Sequence, residues 1–81
     1  MGRNRVKPMP QSVKNFGIKI KELRQQRNMS QMDVGAALGI DRENIRKYEK
    51  GIQEPRLSIV IKFAAVFNVS FNELFDFIKE K

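Results

Sequence analysis

Arg42, Glu43, Asn44 and Lys47 cluster in the stretch QMDVGAALGIDRENIRKYEK, residues 31–50, and each carries a side chain able to read the edge of a base pair. A guanidinium can donate two hydrogen bonds to O6 and N7 of a guanine, and a carboxylate can accept from the amino group of a cytosine. Arg46, in the same run, can reach a base or a phosphate. Polar residues on a helix also form plain solvated faces, here stitched by Glu43 to Arg46 or Lys47 at three- and four-residue spacing. What separates the two readings is whether neighbouring elements would present this row to a duplex.

The surrounding residues do so. Val34, Leu38, Ile40, Ile45 and Tyr48 fall where two short helices must bury apolar surface against each other and the rest of the chain. Gly35 keeps the contact between those helices small, and Gly39 supplies a turn residue that tolerates a left-handed backbone. Asp41 is a good N-cap for the second helix, its charge favoured at the positive end of the helix dipole. Gly51 is the glycine expected just past its end. Before the first helix, Ser30 and Asp33 have the spacing of a capping box. Together these positions predict a helix-turn-helix whose second helix, Asp41 to Lys50, enters the major groove.

The segments IKELRQQRNMSQ, YEKGIQEP and VFNVSFNELF extend the pattern on both sides. From about Phe16 to Phe77 the chain resembles the Cro/cI/Xre-type helix-turn-helix regulators, most specifically at Ser30-Gln31, at Tyr48-Glu49-Lys50-Gly51 and at Pro55. The resemblance implies an all-α fold, a compact five-helix bundle of the phage-repressor type that binds DNA, usually as a dimer. It implies that Arg42, Glu43, Asn44 and Lys47 read bases, and that Gln31, first residue of the helix before the turn, clamps a phosphate. It also implies an ion pair between Arg24 of the first helix and Glu49, which would orient the recognition helix. Lys50, Gln53 and Arg56 follow that helix and, with Arg46, are further candidates for the DNA backbone. Two positions depart from the family: Gly35 stands where Ala is usual, and Arg56 replaces a small polar cap.

Composition narrows the alternatives. The 81 residues make one domain, too few for a second, ligand-sensing one. Cysteine and histidine are both absent, which removes disulfides, thiolate nucleophiles and the commonest metal ligand and general base. No catalytic pair, metal site or cofactor is expected, so an enzyme is the least favoured class. No membrane span or signal peptide is legible, and a cytoplasmic location is expected. The net charge of +7 is uneven: residues 1–27 carry eight Lys/Arg against Glu22 alone, while residues 28–56 and 57–81 each balance. A basic arm and first helix beside a helix-turn-helix point to nucleic acid.

Residues 1–11 read as a basic N-terminal arm and 12–81 as the helix-turn-helix domain. The first helix is expected from Ser12 or Val13 to about Arg27, with Val13, Phe16, Ile20 and Leu23 inward and Ile18 off that stripe. A fourth is expected over Leu57 to Phe67, with Leu57, Val60, Ala64 and Phe67 inward and Asn68 as a left-handed stop. A fifth opens at a second capping box, Ser70 to Glu73, and runs to about Lys79. Its inward stripe would be Phe71, Leu74, Phe75 and Ile78, leaving Phe77 outside. Phe77, with Phe71, is therefore a dimer-interface candidate, because a lone soluble chain should not expose such a patch.

The function expected is sequence-specific recognition of double-stranded DNA by a transcriptional regulator, a repressor acting as a homodimer on a palindromic operator. Phage-type repressors, restriction–modification controllers and antitoxins of toxin–antitoxin pairs all suit this size, and the last would add a toxin as protein partner. The competing class is an adaptor of the same fold that bridges transcription factors and RNA polymerase.

Overall fold

Helix formation begins at Gln11, directly after Pro10, whose carbonyl accepts from the amides of Val13 at 3.0 Å and Lys14 at 3.4 Å. The computed structural model describes residues 8–78, and its helices follow in chain order as α1 (Gln11–Gln26), α2 (Gln31–Leu38), α3 (Arg42–Lys50), α4 (Leu57–Phe67) and α5 (Phe71–Leu74). The all-α, five-helix architecture read from the sequence is the one formed. The α1 boundary moves one residue earlier than expected, into the segment read as arm, and Arg3, Arg5 and Lys7 of that arm lie outside the described residues.

Each connection is made by residues suited to it. Ser30 accepts from the Asp33 amide at 2.9 Å while the Asp33 carboxylate accepts from the Ser30 amide at 2.8 Å, so the capping box before α2 is complete. The bond from the Ser30 amide, then that from its hydroxyl, hold the Asp33 carboxyl below its ordinary value. That contribution is present at neutral pH and is lost as the pH falls through the lowered value. Gly39 (φ 78°), Gly51 (φ 72°) and Asn68 (φ 55°) close α2, α3 and α4 in the left-handed region, as expected of all three. Asp41 caps α3 with its carbonyl only, accepting from Asn44 and Ile45; its side chain makes no cap bond.

The core gathers around Phe63, whose ring meets Phe16 and Tyr48 edge-on at 5.8 and 6.1 Å and stacks on Phe67 at 5.9 Å. Such pairs add about 0.5–1.5 kcal/mol each beyond the area they bury. Val13, Phe16, Ile20 and Leu23 of α1 are buried as expected, with Val34, Leu38, Ile45 and Tyr48 of the helix-turn-helix, while Ile40 is half-buried. In α4 the inward set is Val60, Phe63, Ala64 and Phe67. Leu57 was expected there and is instead 73% exposed, at the first residue of the helix.

The C-terminal region departs most from expectation. Ser70 accepts from the Glu73 amide at 3.1 Å, one half of the expected box, but α5 ends at Leu74 and the chain continues as a turn. The expected end at Lys79 lies outside the described residues. Leaving the helix breaks the three-and-four spacing, so Phe71 and Ile78 are exposed while Phe77 packs against the core beside Phe75, ring to ring at 5.9 Å. Lys19 of α1 pairs with Asp76 at 2.9 Å and fastens this turn. Among the described residues no helix is long and apolar enough to cross a membrane.

Gly17 sets the approach of α1 to α3. A Cβ there would lie 2.4 Å from the Tyr48 carbonyl oxygen and 2.6 Å from that of Glu49, both rigid backbone. Gly17→Ala tests this contact, because helix propensity alone would favour the alanine by about 1 kcal/mol. Overpacking typically costs about 1–3 kcal/mol, and here the obstacle is main chain, so a net loss of stability is expected. Thermal unfolding decides it: a raised melting temperature would mean the helices separate freely.

Candidate nucleic-acid interface

The row expected to meet bases starts at the first residue of α3. Arg42 and Glu43 are exposed, and Asn44, Arg46 and Lys47 are half-buried, so all five keep polar surface outside the core that takes Ile45 and Tyr48. Arg42 has no ion-pair partner among the described residues. Glu43 is paired to Arg46, whose Nε donates to its carboxylate at 3.0 Å with a second bond from Nη2. That bond holds the Glu43 carboxyl below its ordinary value and raises Arg46 above its own. Glu43 therefore faces outward with its charge already answered, and Arg46 reaches a phosphate only by sharing or leaving that partner. The alternative pairing of Glu43 with Lys47 does not form.

Behind this row lies a buried brace joining three helices. Arg24 of α1 donates from Nε and Nη2 to the two carboxylate oxygens of Glu49, at 2.6 and 3.1 Å, and from Nη1 to the Met29 carbonyl at 2.9 Å. The two side chains are only 12% and 4% exposed. The ion pair expected from the sequence is thus in place, in the bidentate geometry that suits an arginine. Gln31 extends it: its Nε2 donates to Glu49 Oε1 at 3.0 Å. One amide hydrogen is committed inward, and the other stays available at the start of α2. Sequence reasoning paired Arg24 with Glu49 and singled out Gln31 for a phosphate, and it missed the bond between Gln31 and Glu49, since nothing in their spacing says that α2 begins over the last turn of α3.

Lys50 and Arg56 are exposed and Gln53 is half-buried, all on the segment leaving α3. Arg56 stands at the N-cap of α4 and makes no capping bond, so its side chain is uncommitted there. Gly35, where an alanine was the family expectation, lies against the turn: a Cβ would sit 2.7 Å from the Ile40 carbonyl oxygen. The glycine is needed for this close turn, whatever rigidity it costs α2. Other cations are used internally. Arg27 donates to the carbonyls of Phe67 and Leu23 at 2.7 and 3.3 Å and lies over the Phe67 ring, and Lys62 donates to the Leu38 carbonyl at 3.3 Å. Among the described residues no three acidic side chains converge as a metal site.

Known proteins share this fold. The chain is 38% identical over 63 residues to an uncharacterized HTH-type transcriptional regulator of Archaeoglobus fulgidus, covering 78% of this chain and 89% of that one. It is 37% identical over 59 residues to the cryptic phage CTXphi transcriptional repressor RstR of Vibrio cholerae, covering 73% of this chain. The chain spans about half (53%) of RstR and a fifth (20%) of a longer protein from Methanosphaerula palustris to which it is 45% identical over 60 residues. Among solved structures it superposes on the restriction–modification controller protein C.AhdI from Aeromonas hydrophila with a TM-score of 0.77 and 27% identity, over 82% of this chain and all (100%) of that one. The fold also forms about a third (34%) of hydroxypropylphosphonic acid epoxidase from S. wedmorenis, with a TM-score of 0.72. The HTH_3 helix-turn-helix family matches residues 20–74, from α1 through α5. The chain belongs to that family, the Cro/cI/Xre-type helix-turn-helix proteins, and has its DNA-binding fold.

Proposed function

We propose that this protein is a sequence-specific, double-stranded DNA-binding transcriptional repressor that acts as a homodimer on a palindromic operator. The observation that carries the reading is the polar flank of α3, held from behind by the buried Arg24–Glu49–Gln31 brace. Recognition needs a row of donors fixed in direction, and a helix pinned at its far end by an ion pair and two neighbouring helices meets that need. Arg42, Asn44 and Lys47 read bases, and Glu43 contributes where a cytosine draws it from Arg46. Gln31, Lys50, Gln53 and Arg56 grip phosphates, with Arg46 joining them on release. The kinship with a phage transcriptional repressor supports repression over activation. The exposed Leu57, Ile61 and Phe71 of α4 and α5 support self-association.

The experiment is a paired substitution. Arg42→Ala is expected to cost about 1–3 kcal/mol of operator binding and to relax preference at one base pair per half-site. Lys50→Ala is expected to weaken all sequences alike and to lower the salt slope by about one. Quantitative binding to an operator selected from random DNA, and to the random pool itself, distinguishes them. Equal loss on both DNAs for Arg42→Ala would show that α3 does not read sequence at that residue. An adaptor of the same fold would show little affinity for duplex DNA and no salt slope in the parent protein.

A further inference from the structure

We propose that Lys14 and Lys21 of α1 form a second phosphate-gripping ridge, outside the helix-turn-helix, that holds the DNA backbone beside the C-terminal end of α3. The inference rests on the reading of α3 as the groove-entering helix.

Three contacts define the face of α1 involved. Lys14 packs its stem on Gly51, where an added Cβ would lie 2.8 Å from its Cα and 3.0 Å from its Cγ. Gly17 lies against the carbonyls of Tyr48 and Glu49. Arg24 binds Glu49. Positions 14, 17 and 24 therefore lie along the last turn of α3, and residue 21, at the same helical spacing, completes the stripe. Lys14 and Lys21 are both exposed, flanking the seam where α1 meets α3.

The other cations of α1 and its C-cap are committed. Lys19 is held by Asp76, Arg24 by Glu49, and Arg27 by two carbonyls and a ring. Lys14 and Lys21 make no ion pair among the described residues. The stem of Lys14 is fixed against Gly51 while its ammonium extends into solvent, the usual division for a lysine. Seven residues of helix separate the two, about 10.5 Å, equal to the rise of about three base pairs along the duplex axis. Lys50, the last residue of α3, precedes the glycine on which Lys14 rests, so the ridge continues the backbone contacts proposed for the loop after α3. A lysine beside α3's C-terminal end also complements the helix dipole. That role alone would stabilise the fold without touching DNA, and the test separates the two.

Salt dependence of binding is measured for the parent, Lys14→Gln, Lys21→Gln and the double variant, on random duplex and on selected operator. Each single substitution is expected to reduce the slope of log K against log salt by about one and the double by about two, with the same fold loss on both DNAs. Melting temperatures are expected to stay at the parent's value. Lys19→Gln removes the same charge from the opposite side of α1 and is expected to leave the slope unchanged. An unchanged slope in the double variant overturns the ridge, and so does an equal fall in Lys19→Gln, which would assign the effect to net charge. A lowered melting temperature in Lys14→Gln with the parent's slope would assign Lys14 to the helix end. A parent without salt-dependent affinity for any duplex overturns the DNA reading itself, whereas normal binding with unchanged slopes overturns only the ridge.

Discussion

Glu49→Ala is expected to lower the stability of the fold by about 3–5 kcal/mol, the cost of leaving a buried partner charge unanswered. The carboxylate is 4% exposed and accepts from Arg24 at 2.6 and 3.1 Å and from Gln31 at 3.0 Å. Removing it strands a guanidinium that is itself nearly buried, and frees an amide at the start of α2. Glu43→Ala, by contrast, removes a carboxylate in solvent whose bond to Arg46 is screened, so its melting temperature should stay near the parent's. Replacing both buried partners, Arg24→Met with Glu49→Leu, is expected to recover much of the loss seen with Glu49→Ala, because no charge remains unpaired. Thermal unfolding of these variants, together with the single substitutions Arg24→Met and Glu49→Leu, completes a cycle. Simple additivity of the Arg24 and Glu49 substitutions would show that the two do not act as a pair.

Legibility followed how local each feature is. The capping box at Ser30 and Asp33 and the left-handed stops at Gly39, Gly51 and Asn68 involve residues adjacent in sequence, and they formed as read. The α1 stripe was also plain, because sixteen residues give more than four turns over which the helical period repeats. Failures came where three-dimensional neighbours decide. Leu57 and Phe63 both fit an apolar face of α4, and only the arrival of Phe16 and Tyr48 makes Phe63 the inward one. The extension of α5 to Lys79 assumed that a helical period continues past Leu74. The chain instead turns there, which brings Phe75 and Phe77 onto the core and carries Phe71 and Ile78 to the surface. Within the site, residue types and the Arg24–Glu49 pair were legible, and the bond from Gln31 was not. Gln31 and Glu49 are eighteen positions apart, and their bond exists because two helices cross.

That rearrangement moves the expected interface. Phe77 was its leading candidate while α5 was read as a long helix, yet it now lies partly inside, and Phe77→Ala should destabilise the monomer rather than divide a dimer. Leu57, Ile61 and Phe71 are 73%, 48% and 52% exposed. Leu57, Ile61 and Ala65 recur every four residues along the outer side of α4, and Phe71 stands at the start of α5 across a shallow groove floored by Ala64 and Val69. Burying one phenyl or branched aliphatic side chain contributes about 1.5–3 kcal/mol, and a two-fold axis buries every one of them twice. To engage a palindrome, a homodimer closed on this surface has to set two copies of α3 about 34 Å apart, one turn of DNA, on one side of the duplex. Ile61→Glu combined with Phe71→Glu is therefore expected to give a folded single chain that has lost cooperative binding to a palindrome, while half-site contacts persist. Because these side chains are exposed in the single chain, helicity by circular dichroism should match the parent's. Sedimentation at micromolar concentration reads the mass directly. A parent that sediments as one chain yet binds a palindrome cooperatively would place the contact on DNA alone, and a variant that stays dimeric would move the interface off α4 and α5.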